Sequence, residues 1–152
     1  MKEAFGGVMN LFFIAVFLII VMGLLGLVVT YSKAFKMKNI VISTIEEYDG
    51  YGCGTSSGIT KENSACLSKI KNEASNLGYN PVVNRCSSSG YYDAFGLYCF
   101  NVSNPKDSSG NTDPTKEVYH IELNVDVNFP LMSDILGMSV FKINGDTRII
   151  SH

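Results

Sequence analysis

The residues best equipped for chemistry are four cysteines, Cys53, Cys66, Cys86 and Cys99, in a chain of 152 residues. Each sequential pair is 13 residues apart. An even count in a small, turn-rich region favours two disulfides made in an oxidising compartment. Four cysteines allow three connectivities; loop closure favours Cys53–Cys66 with Cys86–Cys99. Zinc ligation is the weaker reading, because no CxxC occurs and the two histidines, His120 and His152, lie far off in sequence. A second candidate is the loop 104–116, where Asp107, Ser109, Asn111 and Asp113 alternate like oxygen ligands of calcium. The EF-hand pattern fails there: glycine falls at the fourth place and no Glu at the twelfth, so a solvated loop is expected. Tyr91-Tyr92 could form a ligand platform, but aromatic packing is the better reading. Glu46-Glu47 are adjacent on a helix and do not face each other. The glycine-rich stretch 50–58 lacks the GK[ST] of a phosphate cradle. No nucleophile elbow, HExxH or dinucleotide fingerprint occurs. No enzyme, cofactor or metal is expected.

These residues all follow one dominant element. Val8 to Tyr31 is apolar throughout, with no charge between Glu3 and Lys33 and only Asn10 and Thr30 as polar interruptions. About 20 apolar residues cross a hydrocarbon core as a helix, and in lipid only a helix satisfies its own backbone. The stretch exceeds an ordinary signal-peptide core and no A-x-A site follows closely. Beyond Tyr31 the pattern changes without a break. Ala34, Met37, Val41, Ile45 and Tyr48 fall on one stripe, with Lys33, Lys36, Asn39, Ser43, Glu46 and Glu47 opposite. Gly50 is placed as the cap. One helix from Val8 to Tyr48 is predicted, about 60 Å long.

Downstream, Lys61 to Leu77 has helical spacing with Gly78 as a stop. Pro81-Val82-Val83 suits a short extended segment, and 91–102 a bent strand or hairpin. Glu117 to Phe129 alternates cleanly: Tyr119, Ile121, Leu123, Val125, Val127 and Phe129 to a core, His120, Glu122, Asn124, Asp126 and Asn128 to water. His120 therefore reads as a solvated strand residue. Pro130 ends the strand and 131–138 is a short helix or loop. Ser139–Ile143 and Thr147–Ile150 flank Asn144-Gly145-Asp146, a hairpin signal. The expected class is α+β: a long N-terminal helix, half membrane-spanning and half amphipathic, packed on a small antiparallel sheet. The expected divisions are a leader-like 1–7, a transmembrane half 8–31, an amphipathic half 32–49 and a head domain 50–152.

Net charge is −2, but from Asn39 onward 13 acidic residues face 8 basic ones, which argues against nucleic acid as a partner. Orientation is contested. Lys33, Lys36 and Lys38 would hold the head in the cytoplasm by the positive-inside rule. The cysteines, the acidic head and the sequon Asn101-Val102-Ser103, with Asn101 as a glycosylation candidate, point outward. Outward is expected, since lysine stems snorkel along a helix that continues past the bilayer.

The order of parts resembles type IV pilins and pseudopilins, most of all the Tad-type, TadE-like pseudopilins. The resemblance is carried by Gly6-Gly7 before Val8, the helix Val8–Tyr48 and the C-terminal FPLMSDILGMSVFKINGDTRII. It implies cleavage between Gly7 and Val8 by a prepilin peptidase, storage in membrane lipid, and self-association into a filament with the pilus assembly machinery. Phe12, Phe17, Gly23, Leu25 and Gly26 would lie in the helix-packing core. The superfamily's usual Glu at the fifth mature position is here Phe12, and Gly23 and Gly26 stand where proline is more usual. The alternative is a single-pass, membrane-anchored protein whose extracytoplasmic domain binds a ligand or partner without polymerising.

Overall fold

The computed structural model describes residues 2–54, 64–79, 86, 88–106, 108–126 and 140–152. It contains helix α1 (Lys2–Glu47), helix α2 (Ala65–Leu77) and strands β1 (Tyr92–Asp93), β2 (Cys99–Ser103), β3 (Lys116–Asp126), β4 (Val140–Asp146) and β5 (Ile150–Ser151). The class is α+β, as the apolar periodicities require. The segment 81–83, the strand end beyond Asp126, Pro130 and 131–138 lie outside the described residues. So does Asp107.

α1 runs 46 residues without a break, through Gly23 and Gly26. It contains no proline, and the hydroxyl of Thr30, near the end of its apolar half, donates to the Gly26 carbonyl at 2.9 Å. That bond leaves no polar group of the side chain needing water. The described residues fall into two compact units, one up to residue 32 and the other from residue 33 on. In the second, Ala34, Met37, Val41 and Ile45 are fully buried among Phe100, Tyr119, Ile121 and Leu123. Thus the stripe found by spacing is the face that packs against the sheet.

The helix stops one residue earlier than Gly50 suggests. Asp49 takes the left-handed conformation (φ 47°) and its N–H donates to the Glu46 carbonyl, while the Gly50 N–H donates to Ile45 at 2.8 Å. This is a Schellman arrangement with Asp rather than Gly in the left-handed place. α2 is closed by side chain and glycine in the ordinary way. Ser64 accepts from the Leu67 N–H, and Gly78 (φ 60°) donates back to Ala74 and Ser75. Its Cys66, Leu67, Ile70 and Ala74 face the core.

The sheet is antiparallel in the order β1-β2-β3-β4, with β5 also on β3. β3 is its axis. Tyr119, Ile121, Leu123 and Val125 alternate into the core. Three buried tyrosine hydroxyls find carbonyls: Tyr98 donates to Cys53, Tyr119 to Gly54 and Tyr79 to Asn124. Burial pushes all three phenols far up, so they stay neutral donors.

Two expectations fail here. The triplet Asn144-Gly145-Asp146 is no hairpin turn. It lies inside β4, with Gly145 opposite Ile121 and Asp146 opposite His120. The chain then leaves the ladder at residues 147–149 and returns to the same strand as β5, Ile150 opposite Glu117. A type I′ turn needs positive φ at its central residues, and Gly145 has none. Its missing side chain serves a different need: a Cβ there would sit 2.8 Å from Ile42 Cδ1 and 2.9 Å from Lys38 Cδ. The glycine lets the strand approach the helix.

The second failure is the wet face of β3. Glu122 and Asn124 are 2% and 6% exposed. The reason is a polar cover. Ser88 donates to Glu122 Oε2 at 2.6 Å, Lys142 pairs with Oε1 at 3.2 Å, and Asn124 donates to the same carboxylate at 3.4 Å. Alternation reported which side chains were polar, not that loop residues would close over them.

Candidate functional site

The first candidate surface is the N-terminal half of α1. Val8, Leu11, Phe12, Phe13, Phe17 and Leu25 are each more than half exposed, and every residue from Gly7 to Ile20 is exposed. Only 6% of the most apolar window within Gly7–Glu47 is buried. Gly23 is buried and Gly26 half-buried. A core helix of a water-soluble protein would bury its apolar stripe; this one presents apolar side chains all round. It is long and apolar enough to serve as a single-pass membrane anchor. Gly7 and Val8 are helical, and nothing lies within 4 Å of a Cβ added to Gly7.

The cysteines form the pairs Cys53–Cys66 and Cys86–Cys99. The first ties the exit loop of α1 to α2. The second ties the segment before β1 to the polar face of β2, since Cys99 opposes Glu122. Among the described residues the one group with metal-ligand proximity is Cys86, Asp93 and Cys99. Both its sulfurs are consumed in the disulfide, so they are not thiolate ligands. In the loop 104–116, Asp113 is taken by Lys116 at 2.9 Å and by the N–H and hydroxyl of Thr115. The Lys116 contact, then those from Thr115, hold its carboxyl down at about 2. Its charge is already answered within the loop.

Tyr91 is half-buried, and the Tyr92 ring lies 5.9 Å from that of Phe100. Asn101 lies inside β2, and its Nδ2 donates to the Gly90 carbonyl at 2.7 Å. The sequon is thus part of the sheet.

A hydrogen-bonded row crosses the outer face of three strands. Ser103 Oγ on β2 lies 2.8 Å from His120 Nε2 on β3, and His120 Nδ1 lies 2.7 Å from Asp146 Oδ1 on β4. His120 and Asp146 are register partners; Ser103 is two residues beyond Asn101, the partner of His120 on the other side. His120 was expected to be solvated, and instead both ring nitrogens are engaged. The alternation of β3 placed His120 on that face. Nothing local pointed to Ser103 or Asp146, which are 17 and 26 residues away in sequence.

Comparison with known protein families, curated proteins and solved structures finds no match to this chain.

Proposed function

We propose that the chain is a pilin-like structural subunit, held in the membrane by residues 8–31 and assembled through that half-helix into an extracellular filament or pseudopilus. The observation that carries the reading is one uninterrupted helix, apolar from Val8 to Val29 and uncovered from Val8 to Ile20, whose continuation packs its buried stripe on a disulfide-stapled sheet. A simple anchor needs only the first half. Lipid covers the apolar half before assembly, and neighbouring copies cover it afterwards. Gly23 and Gly26 permit close helix approach. The disulfides favour an extracytoplasmic head. In this reading a prepilin peptidase cuts after Gly7, and pilus machinery extracts the mature chain.

Phe12 favours a second reading. Without a carboxylate at the fifth mature position, subunit docking by the superfamily's usual charge pair has no partner in this segment. A single-pass anchored protein that binds a ligand or partner through its head would need no such pair. Two measurements separate the readings. Surface material sheared from cells and viewed by electron microscopy should contain filaments reactive to antibody against the head. Sequencing the mature N-terminus should return Val8. Protein confined to the membrane fraction and beginning at Met1 would defeat the filament reading and leave the anchor.

A further inference from the structure

We propose that Ser103, His120 and Asp146 form a serine acyl-transfer site on the outer face of the sheet, with carboxylic esters as its substrate class. The inference stands on the sheet alone and holds whether or not the helix assembles.

The connectivity is the first argument. An ionised carboxylate is an acceptor only, so Asp146 Oδ1, at 2.7 Å, takes the proton on His120 Nδ1. In the neutral imidazole this leaves the Nε2 lone pair facing Ser103 Oγ at 2.8 Å. The hydroxyl therefore donates to the histidine. Nucleophile on one ring nitrogen and orienting carboxylate on the other is the arrangement that activates a serine.

Positioning is the second argument. The three side chains stand on three adjacent strands in fixed register, so the backbone ladder sets their spacing, and loops do not. Access is the third. Ser103 and His120 are half-exposed and Asp146 is 65% exposed, so an acyl group can reach Oγ from solvent.

The steps balance. Ser103 Oγ attacks the ester carbonyl while His120 Nε2 accepts the hydroxyl proton. The tetrahedral adduct collapses, the C–O bond to the leaving alcohol breaks, and that alcohol takes the proton from His120. Water, deprotonated by the same nitrogen, then cleaves the acyl-serine, releasing the carboxylic acid and restoring the hydroxyl. Asp146 does not touch the ester; it is a positioning residue.

The test uses the full chain in detergent, with diisopropyl fluorophosphate as a serine probe and p-nitrophenyl acetate as the ester. Mass spectrometry of tryptic peptides should find the phosphoryl adduct on Ser103. His120→Gln should slow both labelling and ester cleavage by about 100-fold, the usual contribution of a general base. Asp146→Asn should slow them less, and Asp146→Glu, which keeps the carboxylate, should restore most of the loss. Each variant is checked for both disulfides and an unaltered melting temperature. An unlabelled Ser103 overturns the proposal, as does labelling no faster than at the exposed helix residue Ser43. Labelling of Ser103 at full rate in His120→Gln also overturns it, leaving the row a structural hydrogen-bond chain.

Discussion

Gly54 has φ 137°, and a Cβ built on it would overlap the ring of Phe100, which is fully buried. Both the backbone and the space therefore demand glycine. Gly145 makes a milder demand, because the atoms it would meet are the far end of Ile42 and the stem of Lys38, which can shift. Gly54→Ala should lower stability by about 3 kcal/mol and Gly145→Ala by about 1 kcal/mol. Thermal unfolding of the full chain in detergent, followed by near-ultraviolet circular dichroism of the buried tyrosines, reads the difference; equal losses would refute the crowding argument. Cysteine spacing was legible because loop closure is local, and the pairs found are those of 13-residue separation. The roles of Gly145 and His120 were not. Each depends on what lies opposite in another element, and a residue's type does not report its partner across a sheet.

At the scale of elements, periodicity located what it physically encodes. The helical stripe Ala34–Ile45 and the strand alternation Tyr119–Val125 are buried as their spacing demands. The polar side of β3 shows the limit of that signal, because a carboxylate can be covered if its hydrogen bonds are supplied. Glu122 tests this. Burial pushes its carboxyl up from the ordinary 4.5, but the bonds from Ser88, Lys142 and Asn124 and the Lys142 charge outweigh burial and hold it lower. A depressed folded value means the stabilisation is present above the unfolded value of 4.5 and is lost as pH falls through the lower folded one. Ser88→Ala removes one of these donors. It should cost about 1 kcal/mol at pH 7 and make acid unfolding begin at a higher pH than in the parent chain. Acid titrations of the two proteins, superimposed after normalisation, would show that Ser88 does not hold this carboxylate.

For the molecule as a whole, the question is what covers the uncovered half of α1. Each large apolar side chain left in water forgoes about 1.5–3 kcal/mol, and the exposed set includes Val8, Leu11, Phe12, Phe13, Phe17 and Leu25. Such a surface suits a single-pass membrane anchor. Lipid is sufficient cover for an anchor. A filament must replace lipid with copies of the same helix, and the two environments respond differently to one charge. In a bilayer a single central Asp costs about 3 kcal/mol, which the remaining apolar residues between Val8 and Tyr31 outweigh. In a packed bundle every copy would bring an unpaired carboxylate to the same apolar contact, and the penalty repeats at each subunit with no water to relieve it. Leu25→Asp and Phe17→Asp should therefore remain membrane-integrated, resisting alkaline carbonate extraction, yet yield no filaments in sheared material. Filaments of either variant at parental abundance would rule out a bundled core built on this face. Loss of both integration and filaments would place the charge's main cost in the bilayer, and then Phe13→Asp, nearer the end of the apolar stretch and 60% exposed, should separate the two effects by keeping the protein inserted while filaments vanish.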